Sequence, residues 1–250
     1  LKNKKTANIK GKYKSPIKWN INLDSKNLNA CSYVKGRYFK GLKNIESPEW
    51  LKKRLISIGL KPISALVDLT NYITFDLGRP LHVFDANKIQ GNLCMRMAKD
   101  DESLLALDGK KYSLNKKILI ISDDQKPVSI AGIMGGEDTS CDASTTEMFL
   151  ESAIFNKKNI AISGRSLNIL SDARYRFERG IDPEYVDAGI NIMTNLVLDI
   201  CGGEVSEHVY AGKADFKKHK IDFNCSKFKM LCGIEIDKKD QINILVKLGF

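Results

Sequence analysis

Between Asn92 and Phe155 the chain reads as short apolar runs separated by turn-forming pairs, and this pattern limits the fold more than any other feature. LCMRMA, SLLAL, KYSL, ILIIS, VSIAGIM and MFLESAIF have strand length, and Asp108-Gly109 and Asp123-Asp124 stand between neighbours as hairpin turns do. The spacing predicts an antiparallel sheet or sandwich. CSYVKGRYFKGL, at 31–42, alternates basic with apolar or aromatic residues and predicts one more half-buried strand.

Helical patterns flank this β core. Ser47, Pro48 and Glu49 open a helix over 48–58 whose apolar residues Trp50, Leu51, Leu55 and Ile56 recur near helical spacing. A helix is predicted over 63–77, where length and the following Gly78 outweigh the β-branched residues. Others are predicted over 157–167 and 183–200, the second opened by Asp182-Pro183 and closed by Gly202-Gly203. The C-terminal stretch predicts a short strand at 220–223 and helices over 226–232 and 238–248. Strands followed by helices define an α+β class: an antiparallel β-sandwich-like core with flanking helices, plus parts of neighbouring small modules.

The 250 residues carry 40 Lys+Arg against 30 Asp+Glu, a net charge of +10, with 43 % hydrophobic residues, which is the balance of a globular protein. No window approaches eighteen apolar residues and no secretory signal is visible, so a membrane partner is not expected and the chain reads as cytoplasmic. The six cysteines lack a CxxC pair and the three histidines lie far apart, so reduced thiols and no metal site are expected. Lys2, Lys4, Lys5, Lys10, Lys12, Lys14 and Lys18 precede the first acidic residue, Asp24; they read as a solvated run or, less readily, as a phosphate contact. The start at Leu1 and the end just after a helical pattern suggest a piece of a longer polypeptide.

The common nucleotide-binding, serine-hydrolase and zinc-protease motifs are absent. What remains is a set of polar residues in apolar surroundings. His82 lies in GRPLHVFD, where a lone histidine is ordinarily structural. Glu151 lies inside MFLESAIF; a carboxylate there needs a partner, either one of Arg174, Arg176 and Arg179 or a ligand's donor at a pocket mouth. Gly132, Gly135 and Gly136 in AGIMGGED allow a tight turn or a close approach of backbone N–H groups to a ligand. In SDARYRFERGIDP, a strand would place Arg174 and Arg176 on one face, pinning acidic side chains or meeting phosphates.

VDLTNY, GRPLHVFD, AGIMGG, LES and RFERGIDP occur here in one order, followed by FKMLCGIEIDKKDQINILVKLGF, and together they resemble the β subunits of bacterial phenylalanyl-tRNA synthetases over about residues 31–250. The resemblance implies an editing domain that hydrolyses tyrosine from mischarged tRNA(Phe). It implies catalytic roles for His82, Asn71 and Thr70, and substrate-binding roles for Glu151, Gly135, Ala173 and Ser171. Ser171 stands where many relatives carry threonine, and Arg174-Tyr175 replace a common Ser-His pair. The implied organisation is 1–42 as the end of a preceding module with a basic tail, 43–211 as the editing domain, and 212–250 as the start of a helical module. The implied partners are the synthetase α subunit and tRNA(Phe), with tyrosine as the misacylated substrate. ATP and magnesium would serve the complete enzyme, with no cofactor in this fragment. The alternative function is a non-catalytic scaffold that binds tRNA or the α subunit and has lost editing.

Overall fold

The structure, a computed structural model, describes residues 7–214 and 220–250. In chain order the first compact body holds β1 (Trp19–Asn22), β2 (Cys31–Lys40), α1 (Glu49–Ser57), α2 (Ala65–Asp76), β3 (His82–Asp85), β4 (Leu93–Met97), β5 (Ser103–Leu105) and β6 (Lys111–Ser113). It continues through β7 (Leu119–Ser122), β8 (Pro127–Ile130), β9 (Met134–Gly135), β10 (Glu147–Phe155), α3 (Lys157–Ser166), α4 (Asp172–Phe177), α5 (Tyr185–Ile200) and β11 (Glu204–Gly212). The fold is α+β, as the pattern of runs predicts.

One sheet has the order β1-β4-β7-β8-β9 and a second β11-β2-β10-β3, with β5-β6 as a separate hairpin. Among the described residues an isolated bridge between Tyr13 and Ser206 is parallel, and all pairings between these strands are antiparallel except β1 with β4, where Trp19 is in register with Leu93. This parallel pair departs from the all-antiparallel expectation, and the long excursion through β2, α1, α2 and β3 supplies the crossover that a parallel pair needs.

Period-two alternation along β10 explains the layering. Phe149 and Ala153 point into a core shared with β4, β7 and β8, whereas Met148 and Leu150 point into a second core shared with α1, α2 and α5. Each fully buried Leu, Ile or Phe contributes roughly 1.5–3 kcal/mol, so the polar side chains among them are the exceptions that need a reason. The helix starts have visible causes: the Asn44 Oδ1 accepts the Leu66 N–H, and Asp68 accepts from Ile63 N–H and the Ser47 hydroxyl, ordering the entry into α2.

Four expectations change. Residues 31–40 form a central strand of the second sheet, so the module boundary expected after residue 42 runs through one compact body. The lysine-rich segment from Ala7 to Lys14 keeps Lys10, Lys12 and Lys14 exposed to solvent but docks by its backbone: Lys12 N–H donates to Val205 O (2.9 Å), Glu207 N–H donates to Tyr13 O (2.7 Å), and the buried Arg37 guanidinium donates to Ile9 O. Lys2, Lys4 and Lys5 lie outside the described residues. The Arg174 segment is helical, because the Ser171 hydroxyl caps it and the pairs Asp172/Arg176 and Arg174/Glu178 fall four residues apart. Residues 220–223 form no strand.

A second compact body contains α6 (Ser226–Cys232), ended by Gly233 in the left-handed region, and α7 (Lys238–Lys247). No helix among the described residues is long and apolar enough to cross a membrane, and no cluster of three or more His, Cys, Asp or Glu among them could hold a metal ion.

Candidate functional site

A cavity of about 580 Å³ opens between α2, the β8–β9 turn and the start of α4. On α2 the residues Val67, Thr70, Asn71 and Thr74 follow helical spacing and line it, while Leu66, Leu69 and Ile73 face the helix-side core. Thr70 Oγ1 donates to Val67 O (2.7 Å), and the Asn71 amide has no hydrogen-bond partner among the described residues. A smaller recess of about 60 Å³ shares His82, Gly135 and Ala173 with this cavity and adds Ser129, Gly132, Phe177 and Glu151. The structure therefore brings together all seven residues expected at the site.

His82 opens β3 directly opposite Glu151 of β10, so the two side chains share a sheet face. Glu151 is buried, and its carboxyl makes no hydrogen bond or ion pair among the described residues. The three arginines offered as partners are engaged elsewhere: Arg174 and Arg179 with Glu178, and Arg176 with Asp172. Removal from water pushes the Glu151 carboxyl up to about 7, opposed by the positive charge of Arg79.

His82 packs edge-on against Phe84 at 4.4 Å between ring centroids. Burial pushes its imidazole down to about 4, so it is neutral at neutral pH. The imidazole lies over Gly135, where any side chain would strike it. Gly132 sits in the β8–β9 turn with a φ of 68°, and its neighbour Ile133 closes the turn onto Ile130 O; the glycines here serve a turn and a close approach.

Ser171 donates to Ile133 O (2.7 Å) and accepts from Arg174 N–H (3.1 Å). Its hydroxyl thus ties α4 to the β8–β9 turn and sets the position of Ala173 between the cavity and the recess.

Sequence reasoning misses Arg79. An arginine just past a helix end reads as an exposed cation, yet this one is 1 % exposed, donating from Nη2 to Ser152 Oγ (2.7 Å) and Ala153 O while Nη1 has no partner among the described residues. Its position beside the Pro80–His82 run and the Glu151 run is visible only in the folded chain. Burial lowers its guanidinium to about 10, which leaves it charged.

The arrangement defines a class: an α+β sandwich with a pocket in which a carboxyl and a neutral imidazole both lack hydrogen-bond partners among the described residues. The chain belongs to the B3/4 domain family, which matches residues 30–202. It is similar over its whole length, at 48 % identity, to the phenylalanine-tRNA ligase β subunit of Mesorhizobium japonicum, and at 50 % identity over 97 % of its length to that of Rhodopseudomonas palustris. The chain spans 31 % and 30 % of those two proteins. Among solved structures, an N-terminal fragment of the Pyrococcus horikoshii phenylalanyl-tRNA synthetase β subunit matches 92 % of the chain and 64 % of that fragment, at 12 % identity and a TM-score of 0.44.

Proposed function

We propose that this chain is the editing part of a phenylalanine-tRNA ligase β subunit and hydrolyses the ester of tyrosine mischarged onto tRNA(Phe). The observation that carries the reading is the Glu151 carboxyl, buried beside a recess with no hydrogen-bond or ion-pair partner among the described residues. A buried carboxylate left unpaired is costly, and a tyrosyl hydroxyl entering the recess donates the missing hydrogen bond. Phenylalanine of the same shape leaves the carboxylate unpaired. A site built to bond a hydroxyl discriminates by about four to five orders of magnitude, whereas an apolar pocket rejects an added hydroxyl by only about two.

The other residues take roles consistent with their geometry. Ala173 leaves room for the ring, and Gly135 lets its backbone and the His82 imidazole approach the substrate. Asn71, Thr70 and His82 hold the ester carbonyl and the terminal ribose. Water forms the new bond to the carbonyl carbon, the ester C–O bond breaks, and the ribose oxygen leaves with a proton. A neutral imidazole with its basicity lowered to about 4 orients these groups by hydrogen bonding and is a weak base, so a hydroxyl of the terminal ribose assists the attacking water. Ser171 is a positioning residue, since both hydrogen bonds of its hydroxyl go to backbone.

In this reading residues 43–211, together with the strand 31–40, form the editing domain, with neighbouring modules on either side. The partners are the α subunit and tRNA(Phe) in a cytoplasmic enzyme whose aminoacylation uses ATP and magnesium outside this chain. Incubation of the chain with Tyr-tRNA(Phe) and Phe-tRNA(Phe) tests the reading: release of tyrosine and retention of phenylalanine support it. Retention of both favours the scaffold alternative.

A further inference from the structure

Three guanidinium–aromatic pairs lie on or beside the two helices that line the larger cavity. The Arg54 guanidinium stands 5.7 Å from the Tyr72 ring centroid, Arg176 stands 4.4 Å from that of Phe75, and Arg179 stands 3.7 Å from that of Tyr175. Arg176 belongs to α4 and Phe75 to α2, so the second pair bridges the two cavity-lining helices. Tyr175 is 57 % exposed and Phe75 37 %, an unusual placement for rings that could turn into either core.

The α4 part of this surface is continuous with the site, whereas Arg54, Tyr72 and Phe75 line a separate pocket. A groove of about 380 Å³ on the outer side of α4, lined by Tyr175 and Arg174, shares Leu170, Ser171 and Asp172 with the cavity. The two carboxylates here, Asp172 and Glu178, are paired with three arginines, Asp172 with Arg176 and Glu178 with both the buried Arg174 and the exposed Arg179, which leaves one positive charge in excess. Exposed rings on which bases stack, interleaved with arginines that meet phosphates, form the combination that holds single-stranded nucleic acid without reading its sequence.

We infer that the rim formed by α2 and α4, with the Tyr175/Arg179 stack at its centre, is a platform for the unpaired nucleotides that lead the ester-bearing end of an RNA into the cavity. The inference rests on the editing reading for the identity of the RNA. It does not rest on that reading for the existence of the platform. Stacking on Tyr175 holds a base at the groove, the Arg179 guanidinium meets the adjoining phosphate, and the next nucleotide reaches the cavity past Leu170.

The test is fluorescence anisotropy of a short single-stranded RNA oligonucleotide with the full chain, with Tyr175→Ala, Tyr175→Phe and Arg179→Ala beside it. Loss of one stacked base in Tyr175→Ala should weaken binding by at least about fivefold, with Tyr175→Phe close to the unchanged protein. Arg179→Ala should weaken binding and flatten its salt dependence. Both side chains are exposed, and binding of free tyrosine in the cavity, which Tyr175→Ala leaves unchanged, reports separately on the folded site and on the editing reading. Oligonucleotide binding that is absent, or equal in all four proteins, overturns the platform even where tyrosine still binds.

Discussion

The His82 imidazole rests on the Cα of Gly135: a methyl group at residue 135 would stand 2.4 Å from Cε1 and 2.9 Å from Nε2. The contact couples the β8–β9 turn to the first residue of β3, because neither the backbone of the turn nor the ring can shift without the other. Gly135 also pairs with Ser129 in the β8–β9 ladder, which holds the turn in place.

Gly135→Ala should therefore expel the imidazole from its seat. Overpacking of this kind costs typically 1–3 kcal/mol, so the fold survives while the site is distorted. Hydrolysis of Tyr-tRNA(Phe) should fall at least about tenfold with a melting temperature only a few degrees lower, which stopped deacylation assays and a thermal scan would read.

Glu151→Gln keeps the shape of the side chain and removes its charge. With the carboxyl at about 7 in the folded chain against an ordinary 4.5, the folded state holds its proton more tightly, and stability falls as pH rises between these values. The glutamine variant escapes this fall. Its stability relative to the unchanged protein should rise by on the order of 1–3 kcal/mol between pH 5 and pH 8, measured by urea unfolding. The opposite slope contributed by His82 is present in both proteins and cancels in the difference.

His82→Ala should slow deacylation without altering the shape of its pH profile between pH 5.5 and 8. An imidazole lowered to about 4 is neutral throughout that range and contributes no inflection there. Loss of an inflection near 6.5 in the variant would make His82 the general base.

Ala173→Trp places an indole between the cavity and the recess. Tyrosine binding and clearance of Tyr-tRNA(Phe) should both be lost, with the far-ultraviolet dichroism unchanged. Normal clearance by this variant would put the tyrosyl ring elsewhere.

The strands between Asn92 and Phe155, and β2, were legible because their signals are local, whereas β1, β3 in GRPLHVFD and β11 in EVSEHVYAG were not expected from the sequence. Apolar runs of strand length separated by Asp-Gly or Asp-Asp pairs read the same way in any context, and β5 and β6 flank Asp108-Gly109 as that pair predicts. The helices α1, α2 and α3 fall within a residue or two of the expected bounds on their periodicity, and α3 alone of the three has a side-chain cap, Asn156. The Arg174 segment misleads because alternating Arg and aromatic residues fit period two, whereas the helix rests on a serine cap and on pairs four residues apart. β1 joins β4 across more than seventy residues of sequence, a pairing that no local signal encodes. Of the site residues, His82 and Glu151 were marked by being polar in apolar runs and Gly135 by its glycine pair, whereas Thr70, Asn71, Ser171 and Ala173 carry no such mark and were expected only from the resemblance. What the sequence did not hold was the partner of Glu151: only the fold turns the nearby arginines toward Glu178 and Asp172 and leaves the carboxyl facing the recess.

The central claim is that Glu151 waits for a ligand hydroxyl, and calorimetric titration of the chain with free tyrosine and free phenylalanine, beside Glu151→Ala, tests it most directly. Tyrosine should bind more tightly than phenylalanine, and the preference should vanish in the variant. Equal binding of the two amino acids by the unchanged protein, or a preference that persists without the carboxyl, would contradict the account.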